Sequence, residues 1–149
     1  LGAVKYAELS QHRMTDYVFS WSKMLSLQGN TAPYLQNAYV RVRSIFRKLG
    51  AELGAAQEVV LTEPAELALA KKLLQFGETV PLVLHEFRPN LLANHLFETA
   101  NAFHTFYEAC PVLKSEGVTR HSRLVLCEAT ARVLKQGLAL LGVDVPERM

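Results

Sequence analysis

Tyr34, Asn37, Arg41 and Lys48 follow one another at intervals of three, four and seven residues, the spacing that lines side chains up along one face of an α-helix. An aromatic ring, an amide and two cations sharing a face suit single-stranded RNA. The ring stacks on a splayed base, the amide reads a base edge and the cations hold phosphates. Arg43 and Arg47 form a neighbouring stripe, so Tyr39–Lys48 carries four cations and no acid. The same pattern also describes a solvated helix face whose tyrosines are half in the core. A second run, Phe103-His104-Thr105-Phe106-Tyr107-Glu108-Ala109-Cys110, turns Phe103, Phe106 and Cys110 toward a core. Tyr107 is then free to lay its ring on the bundle and extend its hydroxyl to a ligand. The third candidate is the terminal Val145-Pro146-Glu147-Arg148-Met149, for which fraying is the ordinary alternative.

Catalytic signatures are missing. There is no Gly-rich phosphate loop, paired-histidine metal motif, Gly-x-Ser-x-Gly turn or Cys-x-x-Cys, so catalysis by this chain alone is not expected. His104 and Glu108 are four residues apart on one helix face, but two ligands without a third read as a surface contact, and no metal is expected. Cys110 and Cys127 are too few and too far apart for a disulfide framework or a zinc site. Reduced thiols and a cytoplasmic setting follow.

The elements that must hold these residues are helical. The chain has 149 residues, 50% hydrophobic and 20% charged, enough for one packed domain. No apolar stretch approaches the ~20 residues of a membrane span, and no membrane partner is expected. The absent initiator methionine suggests a piece of a longer protein. Residues 1–50 hold seven Lys/Arg against two acids, 51–110 three against eight, and 111–149 six against four. Basic charge at both ends of the chain can guide a polyanion to one side of a fold.

The spacing of Leu35, Ala38, Val42, Ile45, Phe46 and Leu49 predicts a helix over about 31–49, with Pro33 in its first turn and Gly50 as its stop. Thr62-Glu63-Pro64 starts another, with Leu67, Ala70, Leu73, Leu74 and Phe76 as its buried stripe before Gly77. Thr79 with Pro81 opens Leu82–Phe87, and Arg88-Pro89-Asn90 breaks that segment and caps the next. Helices at about 91–109, with Leu92, Leu96, Phe103, Phe106 and Cys110 on one face, and at about 119–141, ended by Gly142, complete the set. The fold class is all-α, a bundle of about five main helices with short connections. Residues 1–29 give no firm assignment beyond a short strand considered at Tyr17–Ser20.

In order along the chain, several short motifs are similar to the C-terminal part of the arginyl-tRNA synthetases, with its all-helical DALR-type anticodon-binding domain. They are Gly2-Ala3-Val4-Lys5-Tyr6; Gly29-Asn30-Thr31-Ala32-Pro33-Tyr34-Leu35-Gln36 with Ala38 and Arg41; Leu96-Phe97, Phe103 and Phe106-Tyr107 before Cys110; and Arg123-Leu124, Cys127 and Ala129-Thr130 leading to Gly142-Val143 and Pro146-Glu147-Arg148-Met149. The resemblance implies that residues 1–29 are the junction from a catalytic domain and that 30–149 form the anticodon-binding bundle. It implies a parent enzyme, monomeric and cytoplasmic, that joins arginine to its tRNA through an adenylate, using ATP with Mg. Arginine and ATP would bind the catalytic domain, whose His-Ile-Gly-His and Lys-Met-Ser-Lys type motifs are absent here; no cofactor is expected in this part. By motif, Tyr34, Arg41, Tyr107 and Met149 resemble anticodon-contacting positions. The family pattern Tyr-Leu-Gln-Tyr-Ala departs at its second tyrosine, which is Asn37 here, with Tyr39 two residues on. Asn37 then hydrogen-bonds where a ring would stack, or the contact moves. Phosphates fall to Arg41, Arg43, Arg47 and Lys48. Two other readings are a helical protein-interaction module that docks a partner on residues 64–87, and the anticodon bundle of a related class I synthetase.

Overall fold

The structure, a computed structural model, describes residues 1–50, 53–54 and 58–149. Among the described residues there are seven helices and no strand: α1 (Gly2–Leu9), α2 (Trp21–Met24), α3 (Ala32–Leu49), α4 (Pro64–Leu74), α5 (Phe76–Glu86), α6 (Pro89–Ala109) and α7 (Gly117–Leu140). No helix is long and apolar enough to cross a membrane among these residues.

Local chemistry sets the boundaries of α3. Thr31 caps it by accepting from the Tyr34 N–H at 3.2 Å, Pro33 occupies the first turn, and Gly50 ends it at φ 61°, a left-handed conformation that glycine reaches without a Cβ clash. Leu35, Ala38, Tyr39, Val42, Ile45 and Phe46 are buried, so α3 lays one continuous apolar face on the core. α6 is the central element, packed against α3, α4, α5 and α7. Its Leu92, Leu96, Phe103 and Phe106 are buried, as is Cys110 just beyond its end. α7 packs tightly on it at Gly137, where a Cβ would overlap the fully buried Leu96, meeting its Cγ at 3.1 Å.

Residues 1–29 are better ordered than their sequence pattern suggests. α1 packs on α3 and α6, and Tyr6 is fully buried, its hydroxyl donating to Asn30 Oδ1 at 2.6 Å and sharing a 3.0 Å contact with the Ala93 carbonyl. The strand considered at Tyr17–Ser20 does not form. That stretch takes no regular secondary structure, and Ser20 serves instead as the N-cap of α2.

The stripe expected on the helix after Pro64 is displaced. Leu67 and Leu74 face solvent, and the inward positions are Glu66 and Leu69, with Ala70 and Leu73 half-buried beside them. The reason is an ion pair. Glu66, 1% exposed, accepts from Arg123 Nε of α7 at 2.7 Å and from the backbone N–H groups of Thr62 and Glu63. Arg123 also donates to the Pro111 carbonyl at 3.2 Å, so one arginine ties the start of α4 to the turn after α6. Burial alone would raise the Glu66 carboxyl, but the guanidinium and the two backbone donors outweigh it and hold its pKa below the usual range.

Two boundaries also differ. α5 begins at Phe76 rather than near Thr79 and runs through Gly77 and Pro81, because Gln75 keeps a right-handed backbone that closes α4 and opens α5. Asn90 is buried within α6 rather than capping it, and Arg88 holds the N-cap position. Cys110 and Cys127 are both buried and free, and burial pushes the Cys127 thiol up to about 12.

Candidate nucleic-acid interface

The outer face of α3, the C-terminal half of α6 and the terminal tail enclose a groove of about 350 Å³. Asn37, Arg41, Lys48, Tyr107 and Met149 line it together with Arg47, and none of its lining residues is acidic. Five of the six residues singled out in the sequence therefore meet in one place. Tyr34 stands just outside it, one turn before Asn37, held by a hydrogen bond from its hydroxyl to Asn101 Oδ1 at 2.6 Å.

The tail reaches this groove because α3 ties it down. After Gly142 turns the chain with φ 69°, Gln36 Nε2 donates to the Asp144 carbonyl at 2.7 Å, Tyr39 OH to Glu147 Oε1 at 3.3 Å, and Arg47 Nη1 to the Glu147 carbonyl at 3.0 Å. Val143 is buried, so the tail is anchored by packing as well as by polar contacts. Three rungs along one helix hold the segment and leave Met149 61% exposed at the lip.

Arg41 is the pivot of the opposite wall. Its guanidinium lies 5.7 Å from the centre of the Tyr107 ring, a cation–π distance, and its Nη1 is 3.1 Å from His104 Nδ1. Arginine has no lone pair to offer, so Nδ1 is the acceptor and the neutral ring carries its proton on Nε2. The His104 ring sits between Tyr34, at 5.3 Å between centroids, and Phe103, at 5.8 Å. Burial, and then the adjacent Arg41 charge, hold the His104 pKa below its ordinary value despite the opposing pull of Glu108. Tyr107 is half-buried, with Phe103 5.9 Å beneath it. Burial also raises the Tyr34 phenol, so that hydroxyl stays a neutral donor near neutral pH.

Other expectations move. Arg43 leaves the phosphate set: it points to the other side of α3, where it pairs with Glu128 at 3.3 Å and lies over the Phe46 ring. Tyr39 is buried and supplies no ring to the groove in place of the tyrosine that Asn37 replaces. His104 and Glu108 recruit no third ligand, and no group of three or more His, Cys, Asp and Glu side chains that could hold a metal occurs among the described residues. A larger cavity of about 530 Å³ lies between α1 and residues 17–31, but it contains none of the predicted site residues. The role of Gln36 in holding the tail was missed in the sequence, since nothing in its local pattern reports a contact more than a hundred residues away.

Residues 35–149 match the DALR anticodon binding domain family. Over its whole length the chain is 54% identical to the arginine–tRNA ligases of a Synechocystis species and of Pseudoalteromonas translucida, spanning 26% of each. Among solved structures it superposes on the arginyl-tRNA synthetase of Thermus thermophilus with a TM-score of 0.93 and 35% identity, and on that of Plasmodium falciparum with 0.91 and 34%. Each superposition covers 99% of this chain and 26% of the other.

Proposed function

From the premise that this chain belongs to the DALR anticodon-binding domain family, we propose that it is the part of an arginine–tRNA ligase that binds the anticodon stem and loop of an arginine-accepting tRNA. One observation carries the reading: Asn37, Arg41, Lys48, Tyr107 and Met149, which lie on three separate segments of the sequence, line a single groove without an acid among its walls.

The groove's chemistry fits opened loop nucleotides. Tyr107 and the Met149 side chain offer surfaces on which unstacked bases pack, and Tyr34 offers a third at the edge once its bond to Asn101 gives way. Asn37 presents an amide, which can both donate and accept, to a base edge. Lys48, Arg47 and the outward donors of Arg41 meet phosphates, a contribution that adds affinity but little sequence information.

Residues 1–29 lead in from the catalytic portion and 30–149 form the binding bundle. That is a division of role, since Tyr6 lies in the common core. The chain spans about a quarter of its curated relatives, and arginine, ATP and Mg belong to the portion outside it. The ligase acts as a monomer in the cytoplasm, a setting supported by two free, buried thiols.

Fluorescence anisotropy with a labelled anticodon stem–loop tests the reading. The folded chain should bind it with an affinity that falls as salt rises, and should bind a stem–loop with a non-arginine anticodon more weakly. A folded sample that binds neither at low salt overturns the proposal.

A further inference from the structure

His104 belongs to none of the roles assigned above, yet it is the residue on which the groove's central cation rests. Arg41 is exposed and its long side chain has many rotamers. Ordering it costs entropy that a binding site must either meet beforehand or lose from affinity. Two contacts fix it: the Tyr107 ring below and His104 Nδ1 beside. His104 is itself immobilised between the Tyr34 and Phe103 rings.

We propose that His104 is the positioning residue of this site, and that its unprotonated Nδ1 holds Arg41 over Tyr107 in the arrangement that receives RNA. The inference rests on the RNA-binding reading and adds a protonation state to it. Once Nδ1 takes a proton, it presents a donor and a positive charge to a guanidinium that has only donors and a positive charge. The contact becomes repulsive, and Arg41 loses its lateral support. The titratable and charged groups facing the ring are Arg41 and Tyr34 from α3, and Glu108 on its own helix. Glu108 attracts the proton but is outweighed by burial and Arg41, which keeps the imidazole neutral near pH 7.

The consequence has a distinctive sign. A basic surface that merely collects phosphates binds RNA more tightly as acid adds positive charge to its histidines. A groove organised by neutral His104 weakens instead. His104→Asn separates the two, because an Asn Oδ1 stands close to where Nδ1 does and accepts without titrating. His104→Leu removes the acceptor.

The test is anisotropy of the 149-residue chain with the labelled arginine stem–loop at constant ionic strength, from pH 7.5 down through the protonation of His104 as followed by ring-nitrogen NMR. At pH 7.5 His104→Asn should bind like the parent and His104→Leu about fivefold more weakly. Once that NMR signal shows His104 protonated, the parent should lose about threefold or more relative to His104→Asn, in which every other histidine is retained and its effect cancels. A parallel pH trend in parent and His104→Asn, or a His104→Leu variant that is folded and binds like the parent, overturns the inference and leaves the RNA reading standing. Absence of binding by the folded parent at pH 7.5 and low salt overturns both. Ring-nitrogen NMR shifts of His104 supply a readout without RNA: a neutral ring protonated on Nε2 is expected, and the opposite tautomer contradicts the positioning role.

Discussion

Two arginines in this bundle reach across to a neighbouring helix, and they do opposite work. Arg123 is almost wholly buried, with its Nε on Glu66 and a further donor on the Pro111 carbonyl. Arg41 is exposed, with one donor on His104, its face on Tyr107 and the rest of its fork open to solvent. A guanidinium whose donors are consumed internally specifies how helices pack. One that is held but not consumed is prepared for a ligand. The difference lies in the partners: a carboxylate neutralises the first, whereas an uncharged imidazole and a ring leave the charge of the second intact.

The sharpest way to break this contrast is to remove each guanidinium. Arg123→Met leaves Glu66 buried without a counter-charge and should destabilise the chain by about 3–5 kcal/mol in urea unfolding. Arg41→Met should change stability by less than about 0.5 kcal/mol while weakening stem–loop binding. Comparable stability losses would dissolve the distinction. Next in size is Gly137→Ala, which pushes a methyl group into Leu96 and should cost about 1–3 kcal/mol, read as a lower thermal midpoint with RNA contacts unaltered. Tyr107→Ala should remove about 1–3 kcal/mol of binding to the arginine stem–loop and narrow its margin over a non-cognate one; equal loss for both would take Tyr107 out of recognition. Arg47→Ala should weaken both RNAs alike and flatten the salt dependence by about one charge. Because Arg47 also holds the Glu147 carbonyl, Met149 should become more mobile in the same variant.

Acid separates the two regions as well. Glu66 has a lowered pKa in the folded state, so its contribution is complete above the ordinary carboxylate value and is lost as pH falls through the lowered one. For His104, also lowered, the unfolded chain binds its proton first, so stability begins to fall below about pH 6.5. Stability curves of the parent and of His104→Asn should therefore part company in that upper window and run parallel in the carboxylate range.

Much of this was legible in the sequence because it is periodic or local. The Thr31 cap, Pro33 and Gly50 bound α3, and its three- and four-residue spacing put Asn37, Arg41 and Lys48 on one side. What was illegible depends on distant partners. The face of α4 turned on Arg123, 57 residues from Glu66, and hydrophobicity alone favoured Leu67 and Leu74 over a buried glutamate. Arg43 looks equivalent to Arg41 until Glu128 of α7 is known to lie on its side. The tail reads as a terminus that frays, and only the side chains of Gln36, Tyr39 and Arg47 convert it into a wall.

The two thiols carry a practical consequence. Cys110 and Cys127 are sealed in the interior, and a sulfhydryl with its acidity suppressed by burial reacts slowly with maleimides. The parent is thus a nearly silent background for site-selective labelling. A single cysteine introduced at Ser44, which lines the groove, would accept one fluorophore and report occupancy of that site in real time.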